Sequence, residues 1–73
     1  MNSNRLKFLE KHKDDLQRGI WGLEIDIRHL ERQKIIAKDG EINEIQDLIR
    51  EKETMTKAYK SRIELVDDII KEG

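Results

Sequence analysis

Lys38-Asp39-Gly40 lies just past the midpoint of the chain, and two long heptad patterns run outward from it. The three residues combine a helix stop with a helix start. Gly40 suits the left-handed conformation that ends many helices, Lys38 suits a C-terminal turn, and Asp39 followed by Glu41 suits the start of the next helix. This stretch predicts a hairpin of two helices, over about 4–38 and 41–72, with the turn at 39–40.

Upstream of it, positions spaced 3, 4, 3, 4 read Leu6, Leu9, Lys13, Leu16, Ile20, Leu23, Ile27, Leu30, Lys34 and Ala37, and the phase never slips. Such spacing is a coiled-coil seam, on a helix about 52 Å long at 1.5 Å per residue. Ser3 or Asn4 is the expected N-cap. Downstream, the same spacing gives Ile42, Ile45, Ile49, Lys52, Thr56, Tyr59, Ile63, Val66 and Ile70. Folded back at the turn, every seam residue of the second half meets one of the first, with numbers adding to 79, as in 20 and 59. No polar seam residue meets another. Lys13, Lys34, Lys52 and Thr56 are expected at the seam edge, stems packed and lysine charges in water. The expected fold is all-α: one antiparallel, coiled-coil-like hairpin domain over 1–73.

Two features exceed a simple hairpin. Gly19 and Gly22 flank Trp21 in mid-helix, where each glycine costs about 1 kcal/mol relative to alanine. A break there would give a three-helix bundle instead; alternatively Gly19 admits the close approach of another helix. The second helix also carries Leu48, Met55 and Ile69 beside its seam, so its apolar face spans about 180°, more than one neighbour covers. Area-minus-entropy accounting for chains under about 70–80 residues comes out near zero. Both facts predict self-association, most simply as a two-fold dimer forming a four-helix bundle, with Gly19, Leu48, Met55 and Ile69 at the oligomer interface.

On the back of the first helix, Phe8, Trp21, Ile25, Ile35 and Ile36 fall about 130–170° from the seam centre. Exposed aromatic and apolar clusters often mark contacts. Trp21, Ile25, Ile35 and Ile36 are the candidate partner-binding residues.

Composition bounds the chemistry. Charged residues are 42% of the chain, and proline and cysteine are absent, so there is no disulfide framework, thiolate metal site or cysteine nucleophile. The longest apolar run, Ile35-Ile36-Ala37, is far shorter than the roughly 18–20 residues of a membrane span, and the expected setting is the cytoplasm. Asp26 and His29 have carboxylate-x-x-His spacing, but a di-metal bundle needs that motif twice with two further inward glutamates, and His12 has no such carboxylate. Neither a cofactor nor a metal is expected. No phosphate-binding, HExxH or GxSxG motif occurs, and paired carboxylates such as Asp14/Asp15 and Asp67/Asp68 suit solvated faces, so no catalytic residue is assigned.

Net charge is −1, divided as +3 over residues 1–38 (nine Lys/Arg, six Asp/Glu) and −4 over 39–73 (six Lys/Arg, ten Asp/Glu). Opposite signs favour two halves lying against each other. The alternative to a protein partner is RNA or DNA, met by a basic band of Arg18, Lys57, Lys60 and Arg62 that a dimer would double. In plan alone, a dimeric hairpin bundle that binds RNA resembles the plasmid-encoded Rop regulators; no residues match, and their function is not carried over.

Overall fold

The computed structural model describes residues 2–73. It consists of two α-helices, α1 (Ser3–Ile36) and α2 (Asp39–Glu72), packed as an antiparallel hairpin in a rod of 55 × 14 × 11 Å. The heptads explain why. Among the described residues six side chains are buried, Leu9, Leu16, Ile20, Leu23, Ile49 and Val66, and all six are seam residues. Every remaining seam residue is half-buried. At roughly 1.5–3 kcal/mol for each fully buried aliphatic side chain, this strip drives the pairing. Helix α1 runs unbroken through Gly19 and Gly22, so the three-helix alternative is not adopted.

Four cross-helix contacts report the register. Lys13 meets Asp67, Gly19 meets Tyr59, Asp26 meets Lys52 and Lys34 meets Gln46. Each pair adds to within one residue of the 79 expected from the heptads. The seam lysines differ from expectation in one respect: their ammonium groups reach across to the facing helix. Lys13 Nζ lies 2.6 Å from Asp67 Oδ1, Lys34 Nζ donates to Gln46 Oε1 at 2.6 Å, and Lys52 Nζ lies 3.5 Å from Asp26 Oδ2. A long stem at the seam edge brings the charge to the first polar group opposite, and that group marks the register. Thr56 satisfies its hydroxyl on its own helix, donating to the Lys52 carbonyl at 2.9 Å.

The turn lies two residues earlier than expected. Helix α1 stops at Ile36, and Ala37 (φ −75°, ψ 153°) and Lys38 (φ −75°, ψ 154°) form the connection, both extended. Gly40 is helical, and no described residue has positive φ. Two extended residues suffice to reverse the chain, so no left-handed glycine is needed. Asp39 and Glu41 then occupy the first turn of α2, where negative charge is favourable beside free N–H groups. Lys38 is the cap residue but makes no side-chain cap bond; its carbonyl accepts from Glu41 N–H at 2.8 Å.

At the other end, Asn2 caps α1 in place of Ser3 or Asn4. Its Oδ1 accepts from Arg5 N–H at 2.8 Å. Three consecutive capping residues compete there, and the earliest lets Ser3 and Asn4 add to the helix. The Gly73 N–H closes α2 on the Ile69 carbonyl at 3.2 Å.

Candidate interaction surfaces

The hairpin leaves four surfaces uncovered: the backs of the two helices and the two flanks of the seam, the back of α2 being polar throughout. On the back of α1, Trp21 is 55% exposed and Ile25 69%. They are one turn apart and neighbours on the helix surface. Ile25 lines a shallow groove with Arg28, His29 and Arg32. Ile35 and Ile36 are more exposed still, at 82% and 84%, because α1 ends there. Ten residues separate Ile25 from Ile35, about 15 Å along the axis. The four candidate partner-binding residues therefore form two groups, one at mid-helix and one at the turn.

One flank of the seam is polar. It is formed by Glu10, Gln17, Glu24 and Glu31 of α1 with Gln46, Glu53, Lys60 and Asp67 of α2, the positions following each first seam residue by four. The bonds of Lys13 and Lys34 lie on this side. The other flank is largely apolar on α2. Leu48 and Met55 are 45% and 43% exposed, Ile69 is half-buried, and Leu65, one turn from Ile69, is 61% exposed. On α1 this flank carries Phe8, 67% exposed, with its ring stacked on His12 at a centroid distance of 6.1 Å.

The close approach expected at Gly19 takes place within the chain. A Cβ there would lie 2.7 Å from Cε2 of Tyr59 and 3.1 Å from Cδ2, so the absence of a side chain seats the Tyr59 ring against the α1 backbone. At Gly22 a Cβ would meet nothing within 4 Å. Leu65 was missed in the sequence because it falls outside the seam. Its signal was a second 3, 4 spacing on α2, through Leu48, Met55, Ala58, Leu65 and Ile69.

The basic band is dispersed. Arg18 Nε lies 3.1 Å from Asp14 Oδ2, one turn back on the same helix. Among the described residues Lys57, Lys60 and Arg62 make no ion pair; Lys57 and Lys60 are one turn apart and share a side of α2, whereas Arg62 points to the opposite flank. Asp26 and His29 line one groove with Leu30, Leu48 and Lys52, but each has its own partner: Asp26 Oδ2 lies 3.5 Å from Lys52 Nζ, and His29 Nε2 is hydrogen-bonded with Gln33 Nε2 at 3.2 Å. Among the described residues no three His, Asp or Glu side chains gather as metal ligands, and no helix is long and apolar enough to cross a membrane. No family model, curated protein or solved structure matches the chain.

Proposed function

We propose that the chain is a non-enzymatic protein-interaction module: a homo-oligomeric helical hairpin that docks on a larger macromolecule, as a regulator, adaptor or phage-type inhibitor. The observation that carries this reading is the exposed Trp21–Ile25 pair on the back of α1. Neither residue supports the seam, and a large aromatic beside an aliphatic is a common anchor of binding energy. Arg28 and Arg32 beside Ile25 suit a partner surface that is apolar at its centre and acidic at its edge. Ile35 and Ile36 extend the contact toward the turn.

The test is paired capture from the native host with the unaltered chain and Trp21→Ala. A protein retained by the first and lost by the second, with helicity and oligomer mass unchanged, supports the reading. Dissociation of the oligomer by Trp21→Ala would instead place Trp21 in the self-association interface. The alternative is an RNA- or DNA-binding regulator using Arg18, Lys57, Lys60 and Arg62. The unpaired Lys57, Lys60 and Arg62 favour it, and the Arg18–Asp14 pair opposes it. Absence of a mobility shift at low salt removes it.

A further inference from the structure

The apolar flank of α2 is not a random scatter of side chains. Its residues follow a second heptad stripe: Glu41, Glu44, Leu48, Glu51, Met55, Ala58, Arg62, Leu65, Ile69 and Glu72, spaced 3, 4, 3, 4. The stripe lies about 100° around α2 from the seam, close to the right angle at which a helix of a four-helix bundle meets its second neighbour. Helix α1 covers the seam and leaves the stripe open: Leu48, Met55 and Leu65 are 45%, 43% and 61% exposed.

We infer that a second copy of this chain covers the stripe, with α2 packed antiparallel on α2 about a two-fold axis passing between residues 56 and 57. This rests on the homo-oligomeric reading above and adds the interface and its register. Antiparallel packing of a stripe on itself places residues opposite one another with a constant sum of numbers. When that sum is 113, Leu48 faces Leu65 of the second copy, Met55 faces the small Ala58, and Arg62 faces Glu51, each twice by symmetry. Large meets large, long meets small, and the two charged residues meet with opposite sign. Glu44 against Ile69 and Glu41 against Glu72 fall at the ends, where solvent reaches.

Sliding by one heptad is worse in both directions. One slide sets Leu48 against Glu72 and Ile69 against Glu51. The other sets Met55 against Glu51 and Leu65 against Glu41. In the first slide Arg62 also loses its acidic partner to Ala58; in the second it gains Glu44 only at the cost of setting Met55 and Leu65 against glutamates, so apolar and charge matching together select the register and suit a second copy as the occupant.

The axis suits α1 as well. Through the hairpin register it falls level with Gly22, where the space for a side chain is open. It brings Phe8 of one copy level with Ala37, within one residue of Ile36, of the other; Phe8 and Ile36 are among the most exposed apolar side chains. Trp21 and Ile25 stay outside.

The experiment uses the absence of cysteine. Leu48→Cys and Leu65→Cys are made separately in the full chain. Each cysteine lies about 25 Å along the axis from its own symmetry mate, so neither variant alone forms a disulfide dimer. An oxidised mixture of the two is expected to give a covalent species of twice the 8.7 kDa chain mass. In parallel, Arg62→Glu is expected to weaken association about tenfold, with Glu51→Arg in the same chain restoring it. Sedimentation equilibrium of the unaltered chain separates the two ways to fail. A monomer overturns the homo-oligomeric reading and the interface with it. A dimer whose mixed variants do not cross-link, or whose charge reversal is not rescued, overturns this interface alone.

Discussion

The two flanks of one seam follow different rules. On the polar flank, Lys13 and Lys34 reach from the seam of α1 to Asp67 and Gln46 of α2, and nearly every neighbour is charged or amide-bearing. On the other flank, Leu48, Met55, Leu65 and Ile69 continue the apolar face of α2 past the seam. The helices and the period are the same on both sides. The polar flank fixes how the hairpin closes on itself and gives water a finished surface. The apolar flank leaves area that a single hairpin cannot bury. A chain of this length has little stability to spare, and the unfinished side is where more can come from.

The seam sets the scale against which either flank is measured. Ile20 is the most buried side chain, at 2% exposure. Ile20→Ala removes buried methyl groups from a strip with no second layer behind it, and a loss of about 2–4 kcal/mol is expected. In so small a fold that abolishes most of the helical circular-dichroism signal at room temperature. Ile25→Ala removes the same atoms from the back of α1 and should leave the signal unchanged. Equal losses for the two would mean that the back of α1 is covered in solution.

The two glycines sharpen the comparison on the apolar flank. In dilute solution, Gly22→Ala is expected to stabilise the hairpin by about 0.5–1 kcal/mol, since the methyl gains helix propensity and meets nothing. Gly19→Ala gains the same propensity but drives its methyl to 2.7 Å from the Tyr59 ring. Displacing a packed side chain costs about 1–3 kcal/mol, so the net change should be destabilising or near zero. Thermal melts should therefore move in different directions or by clearly different amounts. Equal upward shifts would show that the Tyr59 ring swings aside freely.

Much of the fold was legible because the heptad period is strict. All nineteen seam positions read from the sequence are buried or half-buried, and the register follows from folding one pattern onto the other. What was less legible depends on competition between equivalent local choices. Asn2, Ser3 and Asn4 can each cap a helix, and only the backbone path selects Asn2. Gly40 permits a left-handed turn without requiring one, and the chain reverses through Ala37 and Lys38 instead. Gly19 pointed to a close approach, but not to which side chain would make it. The surfaces were less legible again: exposure of Trp21 and Ile25 follows from their heptad phase, whereas Leu65 shows its place only when the pattern beside the seam is followed for its own period.

The smallest effect is expected on the polar flank. Lys60 lies there in the open, with no ion pair. Lys60→Ala removes no buried area and leaves no charge stranded, so stability should change by less than about 0.5 kcal/mol. Oligomer mass should not change at all, because the residue lies across the seam from the stripe of Leu48 and Leu65. The same variant bears on nucleic-acid binding. Lys60 belongs to the basic band, and a protein that used the band would lose affinity for every sequence and show a shallower salt dependence by about one unit of slope. A Lys60→Ala chain indistinguishable from the unaltered one in melting, mass and low-salt mobility shift leaves the polar flank as solvated surface. A change in oligomer mass would instead show that copies meet on this side, and the contrast between the flanks would be reversed.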